Sequence, residues 1–158
     1  MRAYKKKTTK PKQYNAKQTL DELKKNPKVR QMKNYCQHGN VSTFEHCERV
    51  AKMSVRLNRK FSLGADEKKL VEGAMLHDFF LYDWHEGEFD LRSMHGFRHA
   101  EKARENAAKY LKVDDDVQQI IYSHMFPLNI TRVPKSREAW IVCFADKYCS
   151  SVETLFKR

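Results

Sequence analysis

The sequence predicts an all-α protein, a bundle of about five to seven helices. Three observations carry this. Glycine and proline are sparse, 5 and 4 in 158 residues, too few for a loop-rich all-β fold. Apolar residues recur three and four apart through most of residues 43–156, which is the helical period. Signatures of helix starts stand ahead of several of these runs. No strand is needed to account for the chain.

The elements follow in order. Residues 1–18 are polar and basic and cannot bury enough surface to offset chain entropy, so they are expected to form a mobile tail ahead of a single domain over 19–158. Residues 19–33 form at most a short helix, with Thr19 as cap and a thin apolar stripe at Leu20 and Leu23. The clearest helix runs over about 43–60: Ser42 and Glu45 make a capping box, and Phe44, Cys47, Val50, Ala51, Ser54 and Leu57 share a face. A second helix over about 66–80 begins at Asp66 and Glu67 and carries Leu70, Ala74, His77, Asp78 and Leu81 on one side. Gly73 lies inside it at a cost of roughly 1 kcal/mol relative to Ala, which a closely approaching neighbour would explain.

Residues 82–93, acidic and aromatic with one glycine, read as a loop. A helix over about 95–111 follows, then a further helix opened by Asp114, Asp115 and Asp116 and continued by Val117, Ile120, Ile121 and His124. Residues 125–135 hold two prolines and read as irregular. The last helix runs from about Ser136 to 156, and its WIVCFA stretch is apolar all round, which predicts a central, enclosed helix.

The net charge of +11 is unevenly placed. Residues 1–33 hold 12 of the 31 Lys/Arg and 2 of the 20 Asp/Glu, so the rest of the chain is almost neutral. The basic segment could meet nucleic acid or anionic lipid through phosphates, or serve only as a solvated tail. Cys36, Cys47, Cys143 and Cys149 form no C-x-x-C pair, which argues against a zinc knuckle or a thioredoxin-like motif. Cys47 and Cys143 read as small core residues. No run of about 18 apolar residues is present, so no membrane span is expected. No apolar stretch follows the basic start, and a cytoplasmic location is the default expectation.

The chemistry concentrates in His46, His77, Asp78, His95, His124 and Asp146, each at an inward-facing helical position. A buried carboxylate such as Asp146, set between Phe144 and Tyr148, needs a cation, a metal or a strong hydrogen-bond set. Imidazole and carboxylate together suit borderline divalent ions such as zinc, iron, nickel and manganese. Singly, each residue has a plain structural alternative, a cap or a core hydrogen bond. The combination across separate helices is what points to one or two divalent transition ions.

In this order the residues resemble the HD superfamily of metal-dependent phosphohydrolases, whose two-metal members read H…HD…H…H…D. The chain offers His46, then Met75-Leu-His77-Asp78, His95-Gly96, Ser123-His124 and Phe144-Ala-Asp146-Lys147. His46-Cys-Glu-Arg49-Val50 looks like the family's H-x-x-R-V, and Ile121-Tyr-Ser-His124 its I-x-x-H. The likeness covers about residues 41–154 and implies an HD-domain helical bundle. Within the family the chain resembles most the branch that hydrolyses nucleotide phosphates, including dinucleoside polyphosphates.

The resemblance implies a phosphohydrolase in which Asp78 bridges two ions, one held also by His46, His77 and Asp146, the other by His95 and His124. Two ions about 3.5–4 Å apart can activate water for in-line attack on phosphorus. Arg49, Arg132 and Lys135 are candidates for holding substrate phosphate, and Lys147 for assisting beside Asp146. Asp83, His85 and Glu86 are candidates for a general acid or a lid. His99, one turn after His95, is the alternative ligand; His95 is favoured because Gly96 and Ala100 match the family's HxxxxA pattern. One departure stands out. Where some two-metal members carry I-x-K after HD, this chain has Phe79-Phe80-Leu81. That departure keeps open a second reading, a catalytically weak module that binds and senses a nucleotide. A third is a nucleic-acid contact through residues 1–33.

Overall fold

A computed structural model describes residues 15–82 and 89–156, with side chains except at 38 and 89–97. Among these residues there are seven helices: α1 (Ala16–Lys25), α2 (Pro27–Arg30), α3 (Thr43–Lys60), α4 (Glu67–Leu76), α5 (Phe89–Leu111), α6 (Asp115–Ser123) and α7 (Arg137–Phe156). The all-α bundle is therefore as expected, with one small addition. Strands β1 (Cys36–His38) and β2 (Val41–Ser42) pair antiparallel around Gly39, whose φ is 55°. Segments this short show no period-two pattern, although Gly-Asn between them is a hairpin turn signal.

The first helix starts earlier than the sequence suggested. Asn15, not Thr19, is its cap, accepting from the Lys17 amide at 3.0 Å. Thr19 and Leu20 are buried instead. Pro27 lacks an amide hydrogen and starts a new helix at its first turn, so the expected 19–33 helix is broken there. Asn26 caps the new start, and Val29 and Met32 close the core beneath. Residues 1–14 of the expected basic tail lie outside the described residues.

Helix α3 has the expected bounds and capping box: Glu45 N donates to Ser42 Oγ, and Ser42 N donates to Glu45 Oε2. Its buried face includes Phe44, His46, Cys47, Val50 and Ala51 and packs on α4 and α7. Helix α4, capped by Asp66, stops at Leu76, four residues short of expectation. Asn106 on α5 donates to the carbonyls of both Phe79 and Phe80, at 2.9 and 3.1 Å. Those carbonyls are thereby satisfied outside a helix, and the chain can turn away at His77-Asp78. A Cβ at Gly73 would lie 2.5 Å from Ile120 Cγ2, so the glycine lets α6 approach α4 as anticipated.

Helix α5 begins six residues before the expected start. Once past Gly87, residues 89–94 contain no helix breaker, and helical propensity takes them. Asp114 caps α6 by accepting from the Val117 amide at 2.9 Å. Helix α7 is not enclosed as WIVCFA suggested. It packs on α3, α4 and α6 with Ala139, Ile141, Val142, Ala145, Asp146 and Cys149, while Trp140, Phe144 and Tyr148 are about half exposed or more on the other side. Among the described residues its neighbours cover one face, and Trp140 finds an edge-on partner in Phe126, 5.4 Å away.

Candidate metal centre

The fold brings five of the six expected ligands together. His46 comes from the buried face of α3, His77 from the position that ends α4, Asp78 from the next residue, His124 from the end of α6 and Asp146 from the buried face of α7. All five are buried. The side chain of His95 lies outside the described residues. His99, one turn later on α5, is buried in the cluster, its Nε2 3.0 Å from His124 Nε2.

Asp78 is the hinge of the arrangement. Its Oδ2 lies 3.2 Å from His77 Nε2 and 3.9 Å from His46 Nε2. Its Oδ1 lies 3.3 Å from His99 Nε2 and 3.4 Å from His124 Nε2. Asp146 Oδ1 faces His46 Nε2 at 3.1 Å and His77 Nε2 at 3.5 Å. Three compact trios result among the described residues, His46–His77–Asp146, Asp78–His99–His124 and Cys47–His77–Asp78, each with potential donor atoms within 4.8 Å of one another.

The ring orientations follow from the second nitrogens. His77 Nδ1 is 2.8 Å from the Ala74 carbonyl and His124 Nδ1 is 2.7 Å from that of Ile121. A carbonyl only accepts, so both Nδ1 atoms carry hydrogen, and in the neutral rings the Nε2 lone pairs face Asp78. His77 Nε2 and Asp78 Oδ1 are buried without a hydrogen bond. Converging lone pairs and carboxylate oxygens in a buried place call for positive charge. This donor set, nitrogen and oxygen from His and Asp, fits a divalent transition ion. Cys47 Sγ lies 3.7 Å from His77 Nδ1, the nitrogen that also meets the Ala74 carbonyl, so the thiol reaches His77 at the opposite edge from Nε2.

The protonation energetics say the same. Burial would raise the pKa of Asp78, but the imidazoles of His77, His124 and His99 hold it well below the ordinary value. Asp146 is likewise raised by burial and brought well below by His46 and His77. Burial alone would lower His46; Asp146 and Glu153 instead lift it to about 10. His77 also lies well above its usual value, against burial, mainly through the Asp78 charge. Protons on these rings are stand-ins for a cation, and an ion would displace them.

Two buried residues at the centre escaped the sequence reading. Gln37 on β1 donates from Nε2 to Asp78 Oδ2 at 2.6 Å, and its own Oε1 accepts from Thr43 Oγ1 at 3.2 Å. Nothing in the sequence announced it, because the hairpin itself was not expected. Glu153 on α7 accepts from His46 Nδ1 at 2.8 Å. Its signal was present: it lies two helical turns after Asp146, on the same face.

The basic candidates sit in different settings. Arg49 Nη1 is bound by Glu153 Oε1 at 2.8 Å. Lys147 Nζ donates to the His124 carbonyl at 2.7 Å and lies 3.8 Å from Asp146 Oδ2. Arg132 stacks 4.0 Å over the Tyr122 ring and lies 3.5 Å from Glu101; its Nη1 is buried without a hydrogen bond. Lys135 is exposed on the loop after α6. Asp83, His85 and Glu86 lie outside the described residues.

The sequence model described as HD domain matches residues 43–150, well over half of the chain. The protein belongs to the HD domain family. HD domains are generally metal-dependent phosphohydrolases, although some members are non-catalytic, and the His/Asp trios are compatible with an HD-type metal site. No curated protein and no solved structure matches the chain. Among the described residues no helix is long and apolar enough to cross a membrane. Gln37 and Glu153 both fall outside the matched stretch.

Proposed function

We propose that this HD domain is a phosphohydrolase that cleaves a phosphate ester or anhydride of a nucleotide or dinucleotide. One trio, His46, His77 and Asp146, would hold one divalent ion; Asp78 and His124, with His99 or His95, would hold a second. Iron, manganese, zinc and nickel all suit this donor set. When bound, such ions supply an activated water and positive charge for the phosphoryl oxygens. The observation that carries the reading is Asp78: its two oxygens are divided between two pairs of imidazoles, and Oδ1 has no hydrogen bond.

The chain's own residues do the rest. Gln37 fixes the Asp78 carboxylate from behind, leaving Oδ1 to the His99–His124 side. Lys147 ties the end of α6 to α7, which keeps His124 facing Asp78. Arg132, on the loop that follows His124 in the sequence, has a guanidinium nitrogen without a hydrogen bond, suited to a phosphoryl oxygen, and Lys135 on the same loop adds charge. Arg49, engaged by Glu153, acts behind His46 rather than on substrate.

Phosphate release across nucleotides, dinucleoside polyphosphates and simple monoesters tests the proposal, with Asp78→Ala as control. Turnover that a chelator abolishes and that Asp78→Ala lacks is the expected result. Full activity in metal-free protein would remove the proposal. Ligand-induced thermal stabilisation without turnover, retained in Asp78→Ala, would favour the sensing module instead.

A further inference from the structure

Glu153 is almost wholly buried, with 2% of its surface exposed, and its carboxylate is divided between two partners. Oε2 accepts from His46 Nδ1 and Oε1 from Arg49 Nη1, both at 2.8 Å. An ion pair that served only to dock α7 on α3 could give both oxygens to the Arg49 fork. Here one oxygen is instead aimed at an imidazole whose other nitrogen faces Asp146 at 3.1 Å.

The two helices repeat the pairing in two layers. His46 and Asp146 form the inner layer. Arg49, one turn on along α3, and Glu153, two turns on along α7, form the outer one. His77 and His124 find their Nδ1 acceptors in their own helices, at Ala74 and Ile121. His46 lies inside α3, where the backbone carbonyls are already used by the helix, so its acceptor has to come from elsewhere.

We propose that Glu153 is the positioning residue of His46. By accepting the Nδ1 hydrogen it holds the ring with its Nε2 lone pair toward the ion shared with His77 and Asp146, and Arg49 braces the carboxylate. The inference rests on the reading that the centre binds a divalent ion. It adds to the HD core a residue from outside the matched stretch.

The test uses the full chain and Zn²⁺ as probe. Competition with a chromophoric chelator gives the affinity of wild type, Glu153→Gln and Glu48→Gln; Glu48 is a carboxylate of α3 that pairs, among the described residues, with Lys24 and Lys52. Glu153→Gln should weaken Zn²⁺ binding about 10–100-fold, the usual scale for losing an outer partner of a ligand histidine. Glu48→Gln should leave it unchanged. Equal affinity of wild type and Glu153→Gln would overturn the inference. Wild type that binds no Zn²⁺ at all would overturn the metal reading and the inference with it, an outcome visible before any variant is made.

A second measurement does not need the variant to fold. In Zn²⁺-loaded wild type, imidazole ¹H–¹⁵N correlation should show His46 protonated at Nδ1, with that proton protected from exchange. An ion on Nε2 leaves the proton on Nδ1 by itself, so the protection is the readout that reports Glu153. A His46 Nδ1 proton in free exchange with water would overturn the inference.

Discussion

His77 and His124 are oriented by their own helices, whereas His46 is oriented by another. The first two stand at the ends of α4 and α6 with helical backbone angles, and each donates Nδ1–H to the carbonyl three residues earlier. That geometry is preset wherever the helix ends at the histidine. His46 lies inside α3, and its Nδ1 partner Glu153 is 107 positions away on α7. Its orientation exists only once α3 and α7 have docked. The centre thus joins two locally prepared imidazoles to one prepared by tertiary packing, with Asp78 between them.

Asp78 belongs to both sides, so its removal should have the largest effect. Asp78→Ala is expected to lose phosphate release by about 10³-fold, on the scale of losing one principal charge-stabilising group, and to lower metal content on both sides. Single substitutions should then separate the sides. His46→Ala is expected to remove the ion of the His46–His77–Asp146 trio and His124→Ala that of the other, each leaving about one ion per chain by elemental analysis.

Acidity offers a graded version. In the metal-free protein His46, lifted to about 10, holds a proton at neutral pH that an ion must displace. Metal affinity measured by chelator competition should therefore rise with pH, by about tenfold per unit for each proton released. Stability of the metal-free protein should move the other way. A raised histidine stabilises fully below its ordinary value of 6.5 and loses that contribution as pH climbs through about 10. Asp78 and Asp146, held low, stabilise above their ordinary value of 3.8 and lose it as pH falls further. Melting of chelated protein should be highest between those two values and decline on both sides.

Gly73 tests how α4 and α6 bring His124 to Asp78. An added methyl meets Ile120 at 2.5 Å, and overpacking of this kind costs about 1–3 kcal/mol, offset in part by better helix propensity. Gly73→Ala should lower Tm and weaken the Asp78–His99–His124 trio more than the other. Ser42→Ala removes a helix cap whose hydroxyl bonds to Glu45 rather than to a candidate ligand. It should cost about 1 kcal/mol by denaturant unfolding and leave metal affinity unchanged.

Most of the helical frame was legible because its boundaries are chemical. Ser42–Glu45, Asp66 and Asp114 announce caps that the structure uses. One boundary departs where a tertiary contact decides, Asn106 ending α4 early, and one where a local breaker outweighs helical periodicity, Pro27 dividing the first helix. The exposed aromatic stripe of α7 was misjudged because apolarity records what a residue can bury, not how many neighbours are present to bury it. At the centre, His46, His77, Asp78, His124 and Asp146 were readable from order and helical phase. Glu153 had the phase but no motif, and Gln37 rides on a hairpin too short to leave a pattern.

Asp78 is proposed to lie between two cation sites. Crystals of the full chain grown with Mn²⁺ and measured for anomalous scattering address it directly. Two peaks flanking Asp78 are expected, one against His46, His77 and Asp146 and one against His124 and His99, about 3.5–4 Å apart. An anomalous map with no peak in contact with Asp78 would contradict that placement.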